Sequence, residues 1–404
     1  MRIASPSIVI AACLFLAVGS ATASWPAPQP PTAGKAVAAD VIVTEAAQLE
    51  ALYVAALAEG GRVVVWAGGD APNQLDWLVD AFEQRFPGVT SDLTVDLSKF
   101  HDLRIDDELD AGTLTPDVAM LQTTFDFDKW KKRGVLMYYK PIGFAQQKAG
   151  YADPDGAYVT AYNYSFLPSF AASLAPAEAP RRYADFLHPK FKHRLVLTYP
   201  HDDDAVMFVY TKLQQRYGKE FLRALAAQKP RLVRGTAAAA YLVGRPYPGR
   251  YQSQNPIYLG NVTGYASDPG EPGQHWIPQH EPFIVWNQRA AIFQAARHPA
   301  AAKLWLSWLG SAEFQSGYPG WRARADVGDP AGFPSLESLS EVDVHEFTRW
   351  MADRANIAQV RLDMRNLFGP VLGESPLRDL ELLSLQGLGP EDVVALPEPE
   401  RPPY

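Results

Sequence analysis

Short apolar runs ending in glycine or proline, set between helix-patterned stretches, constrain this chain more than any other feature. Residues 63–66 in RVVVWAGG form such a run, stopped by Gly68 and Gly69. It reads as a buried parallel strand feeding a loop. Before it, EAAQLEALYVAALAEGG follows Thr44, a good N-cap, and stops at Gly60 and Gly61, so a helix is expected there. A helix starting near Asn73 carries Leu75, Leu78, Val79 and Phe82 at helical spacing and ends at Phe86-Pro87-Gly88. A strand over 93–97, a helix over 100–111 and a strand over 116–121 follow. That alternation is the mark of a parallel α/β sheet.

The theme recurs further on. A strand is expected over 193–198, helices over 204–217 and 219–228, a strand over 282–286 and an apolar helix over 298–309. Residues 342–368 read as helical, and a proline-rich tail begins at Pro397.

The N-terminus reads as an export signal. Arg2 precedes an apolar run over 8–18, and Ala21-Thr22-Ala23 is a small-x-small pattern, so cleavage is expected after Ala23. Residues 24–44, rich in Pro and Ala over much of their length, read as a tether. The single cysteine, Cys13, lies inside the apolar run, where a lipoprotein box is the alternative reading. After cleavage no cysteine is left, which excludes disulfides, thiolate metal sites and a cysteine nucleophile. The formal charge is −8, and loss of Arg2 takes it to −9. The charges are scattered, and no basic stretch suits a nucleic-acid backbone.

Several stretches stand in the order of a known family. They include AFEQRFPGV, RIDDELDAGTLTPDVAML, WKKRGVLMYYKP, YADPDGAYVTAYNYS, YADFLHPKFKHRLVLTYP, QRYGKEFLRALAAQKPRLVRGTAA, ARHPAAAKLWLSWLGSAEFQ and WRARADV. Over about residues 45–327 the chain resembles type II periplasmic solute-binding proteins of ABC importers, nearest to the ferric-iron-binding-like group. The resemblance implies an α/β fold of two lobes with a ligand cleft between them. The lobes are expected at 45–160 with 271–330, and at 161–270, followed by C-terminal helices and tail over 331–404. It also implies a periplasmic or secreted protein, monomeric, that captures a small molecule or ion by hinge closure and passes it to a permease. No cofactor, nucleic acid or membrane insertion after cleavage is expected. A free-standing binder and a secreted hydrolase are the alternatives.

Ligand contacts are expected at the ends of strands. In the first lobe these are Trp66, Gly68, Gly69, Asp70, Gln122 and Thr123, with Tyr162 and Asn163 where the chain crosses between lobes. In the second lobe they are Tyr199, Asp202, Asp203, Gly235 and Thr236. Gly68 and Gly69 fit a loop whose N–H groups face the cleft, or a plain tight turn. Asp202, Asp203 and Asp204 stand where related proteins often carry hydroxyl residues. They read either as a capped helix start or as a site for a cationic ligand. Arg234-Gly235-Thr236 suits an anionic group instead.

Ferric iron calls for hard oxygen donors. The one adjacent tyrosine pair, Tyr138-Tyr139, lies in the first lobe, and Tyr247, Tyr251 and Tyr258 are not paired. His275 and His280-Glu281 are five residues apart around Pro278, which is not a helical metal pair. No metal site and no catalytic residue is expected. Gly-x-Ser-x-Gly and a phosphate loop are both absent.

Overall fold

The computed structural model describes residues 37–246, 257–264, 271–394, 396 and 399. The signal segment, most of the tether, and Tyr247 and Tyr251 lie outside the described residues.

The first lobe is laid down by α1 (Ala39–Glu59), β1 (Arg62–Gly68), α2 (Asp76–Arg85), β2 (Thr90–Asp96), α3 (Ser98–Ala111), β3 (Val118–Leu121) and α4 (Thr124–Lys132). β1 lies between β2 and β3 and runs parallel to both. The chain then enters the long β4 (Val159–Ala171) and builds the second lobe. That lobe holds β5 (Val196–Thr198), α5 (Asp204–Tyr217), α6 (Lys219–Ala227), β6 (Arg231–Val233), α7 (Thr236–Leu242), β7 (Gly260–Gly264) and β8 (Gly273–His275). It returns through β9 (Ile284–Ile292) to α8 (Pro299–Gly310) and α9 (Ala312–Gly317). The last helices are α10 (Glu346–Ala352), α11 (Arg354–Phe368) and α12 (Leu380–Leu385).

The larger sheet has the order β2-β1-β3-β9-β4-β7, with β8 also on β4. β4 therefore serves both lobes. Residues Val159 to Phe166 pair with β9, while Leu167 to Ala171 pair with β7 and β8. The register shifts between Leu167 and Ser169, at the change of sheet. That point lies several residues beyond the lobe boundary at 160 expected from sequence, and β8, which falls in the 271–330 stretch expected with the first lobe, pairs instead with the second-lobe end of β4. β5 and β6 form a parallel pair tied to β7 by a bridge between Leu195 and Gly260.

Each lobe has its own core. In the first, Trp305 and Trp308 of α8 meet Phe82 edge-on, with centroids 4.7 and 5.5 Å apart. α8 is apolar nearly all round because it is buried nearly all round, as a core helix must be. In the second, Phe186, Phe191, Met207 and Tyr210 are fully buried, and Phe347, Met351, Ile357 and Leu382 of the C-terminal helices complete the cluster.

Three expectations need correction. α1 starts at Ala39, inside the expected tether, and Thr44 does not cap it; its hydroxyl donates back to the Asp40 carbonyl at 2.8 Å. The apolar residues 41–43 extend the helix by another turn. The strand expected over 282–286 starts at Ile284 and runs on past Trp286 through Asn287, Gln288 and Arg289, which are buried. Asn287 donates to Asn163 and Gln288 to the Met120 carbonyl, so their polarity is satisfied inside. The helix expected over 342–368 is two helices, broken at Asp353, whose carboxylate caps α11 by accepting from Asn356 N–H.

Candidate functional site

The cleft between the lobes closes on a cavity of about 40 Å³. Its floor is the end of β1. Gly68 is needed there, because a Cβ would lie 1.9 Å from the Ser98 hydroxyl at the start of α3. Ser98 accepts the Gln122 N–H at 3.1 Å, which ties the turns after β2 and β3 together. Gln74 holds the Asp70 N–H through its side-chain oxygen at 2.9 Å.

Asp70 then reaches across the cleft. Its carboxylate accepts the Thr236 hydroxyl at 2.7 Å, and also the N–H groups of Thr236 and Ala237 at the start of α7. A side chain of the first lobe thus occupies the position in the second that suited an anionic ligand group. Burial pushes the Asp70 carboxyl up, and these three donors oppose that rise.

Asp203 faces the same cavity from the second lobe. It is the N-cap of α5 and accepts the Val206 N–H at 2.9 Å. Burial pushes its carboxyl up to about 7, opposed by the Val206 N–H and helped by the charges of Asp204 and Asp70. The wall is aromatic. Tyr164 and Phe166 on β4 lie against Trp286 on β9, with centroids 5.4 and 4.9 Å away. Trp286 donates its indole N–H to Gln288 at 3.1 Å, and Gln74 donates to the Tyr164 hydroxyl at 3.4 Å.

The acidic turn divides its labour. Asp202 pairs with Lys99 of the opposite lobe at 2.7 Å and with Arg234 at 2.8 Å. Burial alone would raise its carboxyl, but Lys99 and Arg234 reverse that and hold it well below the usual range. Asp204 pairs with Arg361 at 2.5 Å and Arg354 at 3.7 Å, both from α11. Asp203 alone of the three lines the cavity.

Of the residues expected at the site, Gly68, Gly69, Asp70, Gln122, Asp203 and Thr236 line the cavity. The others stand elsewhere. Trp66 is buried and stacked on His101 at 5.0 Å, because β1 turns it toward α3. Thr123 is buried as the N-cap residue of α4. Tyr162 is stacked on Tyr318 at 5.1 Å, and Asn163 donates to the carbonyls of Trp321 and Arg322, so both brace the crossing strand. Tyr199 lines a separate cavity of about 350 Å³ under the C-terminal segment. Gly235 packs against Pro376, which a Cβ would meet at 2.9 Å. Sequence reading did not select Gln74, Leu97, Ser98, Tyr164, Phe166, Trp286 or Gln288. The period-two placing of Tyr164 and Phe166 was the one signal for a shared face.

For iron, Tyr139 donates to or accepts from Ser307 outside the cavity, and Tyr258 is buried in the second-lobe core. Among the described residues no group of three or more His, Cys, Asp or Glu is arranged to hold a metal ion.

Residues 114–249 match the family model of bacterial extracellular solute-binding proteins. No curated protein matches the chain. Among solved structures it is similar to the substrate-binding protein of an ABC transporter from Agrobacterium tumefaciens, with TM-score 0.60 and 15% identity over 76% of this chain and 94% of that one. It is similar to iron-bound HitA from Pseudomonas aeruginosa, with TM-score 0.54 and 12% identity over 75% of this chain and 99% of that one. AfuA from Actinobacillus pleuropneumoniae, with fructose-6-phosphate bound, gives 0.57 and 14% over 77% and 99%. The fold is that of the two-lobed periplasmic binding proteins.

Proposed function

We propose that this chain, a type II periplasmic-binding fold whose middle third matches extracellular solute-binding proteins, captures a small positively charged solute in its cleft for an ABC importer. One observation carries the choice of charge. Two carboxylates from opposite lobes, Asp70 and Asp203, face one cavity walled by Tyr164, Phe166 and Trp286, and among the described residues no Lys, Arg or His lines it. An ammonium group suits both features. It neutralises a carboxylate in a place poor in water, and it lies well against aromatic faces.

Size narrows the class. About 40 Å³ holds roughly three water-sized centres. The ligand is a small amine, or the amino end of a longer one. The donors that would hold an anion at α7 are engaged by Asp70. We read the chain as a binder rather than an enzyme, in line with the family it matches.

Calorimetry on the mature protein tests this, with ammonium, methylammonium, putrescine, inorganic phosphate and ferric citrate as titrants. Saturable binding of an amine, lost in Asp203→Ala, supports the proposal. Binding of phosphate or iron with no response to amines overturns the charge assignment.

A further inference from the structure

The C-terminal segment is anchored in both lobes in turn. α10 packs on α4 of the first lobe and on α5 of the second, and also against β9. Phe347 and Met351 are fully buried in the second-lobe core. On α11, the Arg354 guanidinium lies 4.2 Å from the Phe125 ring at the start of α4, and 3.7 Å from Asp204 at the start of α5. Arg361 adds the 2.5 Å pair with Asp204. The chain then doubles back. Leu377 is fully buried in the first-lobe core, and Leu382, five residues on, is buried in the second-lobe core. Between α11 and Leu377, the Gly373 carbonyl accepts from Arg234, and Pro376 sits on Gly235.

Hinge opening moves the lobes apart as bodies. Here it must also pull Leu377 from one core or Leu382 from the other, and strip Arg354 from Phe125 or Asp204. HitA is covered almost end to end by three quarters of this chain, so the shared fold does not require the whole of it.

We propose that residues 343–394 form a strap that holds the cleft closed without ligand, so that release of the strap, rather than solute binding, limits opening. The Asp70–Thr236 and Lys99–Asp202 contacts lie beneath it and add to the same closed state. This regulates the site proposed above but does not depend on its ligand, because it is measured with no solute present.

The only cysteine is Cys13, within the expected signal segment, so introduced cysteines in the mature protein take dyes selectively. Asp110→Cys on α3 and Glu220→Cys on α6 place one on each lobe at side chains 72% and 81% exposed. Single-molecule energy transfer should show one high-efficiency population in otherwise wild-type protein. Adding Leu377→Ala with Arg361→Gln should raise the ratio of open to closed molecules by about tenfold, the ordinary size of such couplings. Arg354→Gln with Arg361→Gln leaves every core residue in place and should shift the ratio the same way, by less. An unchanged efficiency distribution in this second, folded variant overturns the strap. So does a wild-type protein already spread between open and closed states. Absence of amine binding would defeat the ligand assignment and leave this result untouched.

Discussion

At the scale of single residues, Asp203 carries the most chemistry. Its folded carboxyl sits near 7, against an ordinary value of 3.8. The folded protein therefore keeps a proton that the unfolded chain gives up, and this group's contribution to stability falls as pH rises from about 4 through 7. Asn keeps the N-cap and carries no charge. Asp203→Asn should therefore be more stable than wild type at pH 8, by up to about 4 kcal/mol in chemical denaturation, with little difference at pH 4. An ammonium ligand needs the ionised form. Its affinity should rise by up to about tenfold per pH unit below 7 in wild type, and lose that slope in Asp203→Asn. His101 acts in the opposite sense. Burial, with Arg104 nearby, lowers it to about 3 from 6.5, so the stability it contributes is whole above 6.5 and is lost as pH falls below that. His101→Gln should flatten the acid side of the pH–stability profile.

At the scale of elements, α5 was legible to the residue, because Asp203 and Asp204 start it and Gly218 ends it. β9 was cut short, because Asn287, Gln288 and Arg289 look like a loop until their partners across the sheet are known. α8 should be the stability centre of the first lobe. Trp305→Ala should cost about 3–5 kcal/mol, read as a lower urea midpoint, because the side chain is fully buried against Phe82. Gly143 precedes the turn that meets the end of α8. It has φ of +77°, and a Cβ would lie 1.9 Å from the Gly310 carbonyl oxygen. Gly143→Ala should cost at least about 1–3 kcal/mol in the same measurement, since backbone meets backbone there and neither can turn away.

At the scale of the whole molecule, closure is held by contacts among the chain's own groups. An amine should raise the melting temperature by mass action, by about 2.7 kcal/mol of stability at 100 times its dissociation constant. It should leave the radius of gyration in small-angle scattering nearly unchanged, because the lobes already meet. Compaction on adding the amine would show that the free protein stands open in solution. Asp70→Ala removes one interlobe clasp and leaves the Thr236 hydroxyl and two N–H groups to water, so it should lower the melting temperature and weaken the closed-state preference together.

The sequence by itself determined the strand–helix alternation and the turns at the strand ends, because glycine placement, helical periodicity and capping are local properties; the two-lobed class came from the resemblance to periplasmic binding proteins. It located Asp70, Asp203 and Thr236 at those turns as separate candidates. Only the tertiary structure decided that Asp70 engages Thr236 across the cleft, that Asp202 and Asp204 are neutralised by Lys99, Arg234, Arg354 and Arg361, and that Asp203 is left facing the cavity. Those pairings join residues from about thirty to more than a hundred and sixty positions apart. Local pattern carries no record of them; only closing the lobes and laying the C-terminal helices over both brings those charges within reach of each other.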